Sequence, residues 1–326
     1  MYDKNWLRSF QFDFPVILVG NISTGGTGKT PHVLAIANRL QNLYRIAVLS
    51  RGYKRSTKGY IVATKKSLAT DIGDEPKLIK QKIPSAEVAV CENRLEGISQ
   101  LLLEEPAPEV ILMDDGFQHR KVRPGYSIVL TAHNRLYIDD HILPMGSLRE
   151  PKGSLRRADM IIVTKCPEDM TKREASEMRT TLKLLPLQQL FFTCYSYGEL
   201  KPLFENQVTL EYQNLSSCLL VSALASNNYL KDHLSREFKS VASIQYKDHH
   251  YFKDSDLKEI KAKLKPDQIL LTTEKDAVKL SEMGDSIQSL GLSFFVLPVS
   301  VNFLFDGGEK FDQLIKRYVR DSRSIV

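Results

Sequence analysis

Val19-Gly20-Asn21-Ile22-Ser23-Thr24-Gly25-Gly26-Thr27-Gly28-Lys29-Thr30 closes an apolar run, Pro15–Gly20, and opens a helical pattern, His32–Leu40, with apolar Val33, Leu34, Ile36, Ala37 and Leu40. A strand that turns through three glycines into a helix gathers backbone N–H groups and the positive helix end around one point, which suits phosphate oxygens. In such a loop Ser23, Thr24, Gly25, Gly26, Thr27 and Gly28 form the cradle. Lys29 reaches the β- and γ-phosphates, and the Thr30 hydroxyl ligates Mg²⁺. Pro31 falls in the first helical turn, where no N–H is needed. The usual first glycine of G-x-x-x-x-G-K-[ST] is Ser23 here. The intact Gly28-Lys29-Thr30 end and the strand–loop–helix setting outweigh the plainer reading of a glycine-rich turn. The sequence predicts a nucleoside triphosphate site.

Outward from this loop, further apolar strands are expected at Arg45–Ser50, Glu87–Cys91, Val110–Met113, Ser127–Leu130 and Met160–Thr164, with a helix at Glu92–Leu103. Near-continuous Val/Ile/Leu strands separated by helices predict an α/β fold: a mostly parallel sheet with helices on both faces and ligands beyond the strands' carboxyl ends. After Lys165 the texture changes. A charged helix over Glu174–Leu184 is followed by a less regular stretch, Phe191–Tyr212. A second α/β pattern then runs through strands Cys218–Ser222, Ser243–Tyr246, Gln268–Thr272 and Phe294–Pro298 to a closing helix, Lys310–Arg320. The expected organisation is a P-loop core over residues 1–175 and a smaller α/β domain over 176–326 that completes the cleft.

The strand Val110–Met113 ends in Asp114-Asp115-Gly116-Phe117-Gln118-His119. By itself Asp-Asp-Gly reads equally well as a turn. Behind a P-loop, it supplies the acid that holds Mg²⁺ directly or through water.

Composition narrows the classes. The 326 residues are 42% hydrophobic and 26% charged, ordinary for a globular chain, and the apolar runs are strand-length, far below the ~20 residues of a membrane-spanning helix. Cys91, Cys166, Cys194 and Cys218 are scattered without a C-x-x-C pair, so neither a disulfide framework nor a cysteine zinc site is expected. No signal-peptide pattern opens the chain, and a cytoplasmic setting is expected. Lys and Arg exceed Asp and Glu by 45 to 39, too small an excess to argue for nucleic acid. Thr164-Lys165-Cys166-Pro167 lacks the aspartate in register that a guanine reader needs.

The Ser-x-Gly-Gly-x-Gly-Lys-Thr-Pro loop, Ser50-Arg51-Gly52-Tyr53, Gly73-Asp74-Glu75-Pro76, the Asp114–His119 run, Leu148-Arg149-Glu150-Pro151, Asp248-His249 and Thr273-Glu274-Lys275-Asp276 occur in that order. Together they resemble the tetraacyldisaccharide 4'-kinase family over roughly residues 1–280. The resemblance implies ATP-dependent phosphorylation of the 4'-hydroxyl of a tetraacylated glucosamine disaccharide 1-phosphate, a lipid A precursor. That reaction takes place at the cytoplasmic face of the inner membrane, with a peripheral membrane contact and no obligate protein partner. It implies Asp74 as catalytic base with His249 beside it, although Gly73–Pro76 alone reads as a helix-capping turn. It also implies Arg149 at the nucleotide phosphates and Glu150 as a further Mg²⁺ ligand beside Asp114 and Asp115. Gln118 and His119 would orient the γ-phosphate or the hydroxyl, and Arg94 would contact substrate. Members usually carry a longer segment ahead of the loop with a membrane-associating helix. Met1–Phe14 resembles its tail, so Asn5–Phe14 (Trp6, Leu7, Phe10, Phe12, Phe14, with Lys4 and Arg8) is the candidate membrane contact.

The alternative from another class is a regulatory or metallochaperone-type P-loop NTPase, which needs neither Asp74 nor an acyl-chain surface. Either reading requires Lys29. Lys29→Ala is expected to reduce nucleotide turnover sharply, because the cation opposite the β/γ-phosphates is lost. Near-normal turnover in that variant would remove the P-loop assignment.

Overall fold

A computed structural model describes residues 7–205 and 216–323 of the chain. Its organising element is β1 (Val16–Gly20), all five residues of which are buried because sheet neighbours flank it and helices cover both faces. Also in the large sheet are β2 (Ile46–Ser50), β3 (Ile61–Val62), β4 (Glu87–Val90), β5 (Val110–Asp114), β6 (Tyr126–Ala132), β7 (Met160–Thr164) and β8 (Gln189–Tyr197). A smaller sheet holds β9 (Lys201–Pro202), β10 (Ser217–Ser222), β11 (Ser240–Gln245), β12 (Gln268–Thr273) and β13 (Phe294–Leu297), and β14 (Val299–Phe303) returns to the large one. The spatial orders are β14-β8-β7-β6-β1-β5-β2-β4-β3 and β11-β10-β12-β13-β9. Pairing is parallel except where β3, β9 and β14 lie on the edges.

The expected α/β class is therefore present, and each strand expected in the first half is found. β1 sits between β5 and β6, so the chain leaving its carboxyl end opens into the crevice where ligands bind in sheets of this kind.

Sheet membership divides the chain differently from the expected boundary near residue 175. Residues 191–197, the start of the stretch expected to be irregular, belong to β8 beside β7. The run Leu190–Tyr195 is buried throughout, so it lacks the alternation that marks a half-exposed strand. β14 and the closing helix Gly307–Arg323 also belong with the large sheet, the helix burying Phe311, Ile315 and Val319 against the face that carries Val33 and Ile36. The chain thus crosses to the small sheet after Tyr197 and returns before Val299. The two crossings touch, with the Gly198 N–H donating to the Pro298 carbonyl at 3.0 Å.

The helix Lys29–Leu40 is fixed under the loop by His32, which is 1% exposed. Its Nδ1 lies 2.7 Å from the Gly28 carbonyl and its Nε2 lies 3.0 Å from Thr193 Oγ1 on β8. A neutral ring satisfies both contacts, donating to Gly28 and accepting from Thr193. Burial, with the cations Arg39 and Lys165 adding to it, lowers the His32 pKa to about 4. Below about pH 6.5 the unfolded chain binds a proton here that the folded chain refuses, so stability present above that pH is lost as pH falls toward 4. The slope is up to about 1.4 kcal/mol per pH unit. Urea denaturation between pH 7 and 5 is expected to show that loss in the parent and a flatter dependence in His32→Gln.

Candidate active site

Gly28 caps the Lys29–Leu40 helix with φ = 90°, a left-handed conformation that side chains resist. A Cβ there would also lie 2.3 Å from the Tyr195 hydroxyl, so both backbone and space require glycine. Ser23, by contrast, has no positive φ, which is why the loop tolerates a serine at its usual first glycine. Ser23 is buried and bridged to Leu148, and the Arg149 N–H donates to the Ile22 carbonyl at 2.6 Å. The loop's remaining shape comes from side chains. Asn21 Nδ2 donates to Thr27 Oγ1 at 2.8 Å, Thr164 Oγ1 to the Thr27 carbonyl at 2.8 Å, and Lys165 Nζ to the Gly26 carbonyl at 2.7 Å.

The two aspartates after β5 are treated differently by their surroundings. Asp115 (φ = 47°) faces Lys29 Nζ at 3.7 Å and Arg149 NH2 at 3.0 Å. Burial works against its ionisation, but those two cations outweigh it and hold the carboxyl below its usual range. Asp114 is fully buried, and burial together with the carboxylates of Glu75 and Asp115 raises it to about 7. One of its oxygens accepts from Ser50 Oγ at 3.3 Å, while Oδ1 has no hydrogen-bond partner among the described residues. A buried carboxylate oxygen left open beside a P-loop fits a cation.

The remaining residues expected at the phosphates separate. Arg149 faces the loop, donating also to the Asn21 side chain. Gln118 Nε2 donates to the Asn21 carbonyl at 2.9 Å, so it braces the loop. Glu150, expected on the metal, is instead paired with Arg157, whose guanidinium is held over the Phe117 ring at 4.0 Å. Arg94, expected to meet substrate, is 2% exposed and directs NH1 to the Cys91 carbonyl at 2.6 Å and NH2 to the Asp114 carbonyl at 3.1 Å. It ties the ends of β4 and β5 together. His119 carries a buried Nε2 without a partner among the described residues, and burial plus Arg94, Lys121 and Arg51 lower its pKa to about 4. That neutral ring does not line the cavity described next.

A cavity of about 440 Å³ opens between the two sheets. One wall is the loop from Ser23 to Pro31, with Asp115, Arg149 and Lys165. The other comes from the carboxyl ends of the small sheet's strands: Leu224–Ser226 after β10, Asp248 and His249 after β11, and Thr273–Lys275 at β12. His249 Nδ1 lies 2.9 and 3.0 Å from the two oxygens of Asp74, which is 3% exposed behind it, at the start of the helix Asp74–Lys82. Lys279 Nζ holds Asp74 Oδ2 at 3.3 Å. Burial alone would raise Asp74, but the His249 hydrogen bond and the charges of Lys275 and Lys279 hold it well below the carboxylate range. Lys275 Nζ meets His249 Nε2 at 3.2 Å, Glu75 at 3.2 Å and Asp248 at 3.3 Å. Burial opposes its charge, yet the surrounding carboxylates push its pKa above the lysine range.

The sequence profile of the tetraacyldisaccharide-1-P 4'-kinase family matches residues 1–320. The chain belongs to that family. It is 42% identical over 337 residues to the tetraacyldisaccharide 4'-kinase of Bacteroides thetaiotaomicron, covering 99% of this chain and 89% of the relative. It is 45% identical over 327 residues to that of Porphyromonas gingivalis strain ATCC 33277, covering 97% and 91%. The crystal structure of an "apo" form of LpxK from Aquifex aeolicus in complex with ATP superposes with a TM-score of 0.73 at 30% identity, over 98% of this chain and 92% of that one. The chain is thus a kinase of lipid A biosynthesis, which displaces the regulatory NTPase alternative.

For this kinase, sequence reasoning missed Lys165, Lys275 and Lys279 as site residues. Lys165 and Lys275 sit next to strand ends that the sequence does place, and Lys165, Asp115 and His249 all carry positive φ at the cavity. Of the candidate membrane segment, Trp6, Asn5 and Lys4 lie outside the described residues. Leu7 and Phe10 are 44% and 52% exposed, whereas Phe12 and Phe14 pack against the core. Among the described residues no helix is long and apolar enough to cross a membrane.

Lys279 (3% exposed) joins Asp74 and Asp276, both buried. Removing a buried partner leaves uncompensated charge, so Lys279→Met is expected to cost about 3–5 kcal/mol of stability in chemical denaturation. A loss below about 1 kcal/mol would show that the ion triad is not a structural anchor.

Proposed function

We propose that the cavity between the two sheets is where this kinase brings the γ-phosphoryl group of ATP to the 4'-hydroxyl of tetraacyldisaccharide 1-phosphate. The observation carrying this reading is that the P-loop and His249, which Asp74 holds from behind, are far apart in sequence yet face one cavity. The loop from Ser23 to Thr30, with Arg149, holds the phosphates, and Lys29 balances the charge that develops as the γ-group transfers. Thr30, Asp114 and Asp115 would hold Mg²⁺, which when bound neutralises β- and γ-phosphate charge. Glu150 is set aside because Arg157 occupies its carboxylate.

Transfer breaks the hydroxyl O–H bond, and the proton passes to the Asp74–His249 pair. Asp74 is the expected base, yet the geometry favours His249 as the first acceptor. His249 lines the cavity with Nδ1 on Asp74 and Nε2 beside the Lys275 ammonium at 3.2 Å, so it takes the proton at Nε2 as Lys275 turns its charge to the incoming phosphates. Asp74 lies behind it with both oxygens engaged and its carboxyl held too low for an effective base. Asp74 then fixes the ring and stabilises its protonated form. Lys275, opposite the loop, adds a cation to the same space. Among the described residues, 7–197 together with β14 and the closing helix form the nucleotide-binding domain, and residues 201–205 and 216–297 form the domain that supplies His249 and Lys275. The acceptor's acyl chains call for a membrane surface, met peripherally, and the family resemblance implies the cytoplasmic face of the inner membrane.

Transfer of label from ATP to tetraacyldisaccharide 1-phosphate, with no-acceptor controls, tests the reading. His249→Ala and Asp74→Ala are each expected to lose roughly 10²–10⁴-fold in kcat with ATP binding changed only a few-fold. The double variant should be far less than multiplicative, because the two act as a unit. Multiplicative losses would show that they act independently.

A further inference from the structure

The helix Lys29–Leu40 is short of one donor at the end that faces the phosphates. A helix leaves its leading N–H groups unpaired, and here they belong to Lys29, Thr30 and Pro31. Pro31 has no N–H, and the His32 N–H already donates to the Gly28 carbonyl at 3.2 Å. Proline suits the first turn, but it removes one hydrogen bond from a site whose task is to hold an anion.

A hydroxyl from β8 stands at this same helix end. Alternate residues of a strand share a face. Thr193 meets His32 at 3.0 Å, so Tyr195, two residues on, faces the helix nearer its start. A Cβ on Gly28 would lie 2.3 Å from the Tyr195 hydroxyl and 3.4 Å from the ring carbon that carries it. Tyr195 lines the cavity beside Lys29, Thr30 and Pro31. Among the described residues its hydroxyl has no hydrogen-bond partner, although Tyr195 is only 8% exposed. Burial, with Tyr229 adding to it, pushes the phenol above its usual range, so the group keeps its proton and serves as a donor. Its aim is fixed by Tyr229, on the helix Asn228–Glu237 of the small-sheet unit. The two rings meet edge-on with centroids 5.5 Å apart, and the Tyr229 hydroxyl accepts from the Tyr195 N–H at 3.4 Å and donates to the Cys166 carbonyl at 3.2 Å. A ring already held in place loses little freedom when a ligand arrives.

We propose that Tyr195 is a nucleotide-binding residue whose O–H donates to the α/β end of the ATP phosphates, in place of the N–H that Pro31 cannot supply. Arg149 and Asp115 gather at the opening of the loop, beside Asn21, which leaves the helix end to the inner phosphates. The proposal deepens the reading above and rests on its placement of the phosphates along the loop.

The test compares the full chain with Tyr195→Phe, which keeps the ring packed on Tyr229, and with Tyr195→Phe/Pro31→Ala, which restores a backbone donor. Affinities for ATP and ADP are measured by titration calorimetry without acceptor. Tyr195→Phe is expected to bind both nucleotides about ten- to a hundredfold more weakly and by the same factor, the scale of one hydrogen bond to a charged oxygen. Its unfolding midpoint without nucleotide and its KM for the acceptor should equal those of the parent. The added Pro31→Ala should recover most of the lost affinity. Parent-like affinity in Tyr195→Phe overturns the proposal. So does a loss for ATP alone, which would put the hydroxyl at the γ-phosphate, and so does a double variant no tighter than Tyr195→Phe. A lowered nucleotide-free midpoint would assign the hydroxyl to packing and overturn it too. If the parent binds both nucleotides with this dependence yet transfers nothing to the acceptor, the kinase reading fails and the Tyr195 contact stands. A parent that binds neither nucleotide overturns both.

Discussion

A seam of ion pairs joins the helix Asp74–Lys82 of the large-sheet unit to the helix Glu274–Leu280 of the small one, and the active site depends on it. Asp74 meets Lys279 and His249, Glu75 meets Lys275, Lys77 meets Glu282, and Lys82 meets Glu274. Much of this seam is out of water, where an unmatched charge costs far more than a matched pair contributes. The seam therefore acts less as glue than as a register: a shifted docking of the helices would leave buried carboxylates or ammonium groups alone. That docking sets His249 and Lys275 across from the phosphate-binding loop.

The seam also unites structure with chemistry. Gly73-Asp74-Glu75-Pro76 and Thr273-Glu274-Lys275-Asp276 are its two sides, one from each sheet. Thr273 caps its helix by accepting from the Asp276 N–H, and Asp276 accepts from the Ala223 N–H at 2.9 Å, so the small sheet's strand ends are tied to the same cluster. The two chain crossings, at Gly198 and Pro298, lie side by side, so the units are linked at one place by covalent chain and at another by charge.

How legible was this from the sequence? The P-loop was fully so, because a strand, three glycines, Lys-Thr and a helix are local features whose physics is local too. Asp114 and Asp115 were legible as a pair, but their division was not. Which one is buried beside Glu75, and which faces Lys29 and Arg149, depends on residues tens of positions away. Glu150 and Arg94 show the same limit. Both lie in motifs that point to the site, yet one is captured by Arg157 and the other by backbone carbonyls. β8 went unread because burial on both faces erases the alternation that marks a strand.

The sequence alone determined the fold class and the nucleotide-binding loop, which are written in contiguous residues; the family, and through that resemblance the pairing of Asp74 with His249, rested on the fixed order of short motifs. Only the tertiary structure decided which member of that pair faces the cavity and that Lys275 and Lys165 belong to the site. Those outcomes depend on desolvation and on charges brought together from distant strands, and neither quantity exists until the sheets have packed.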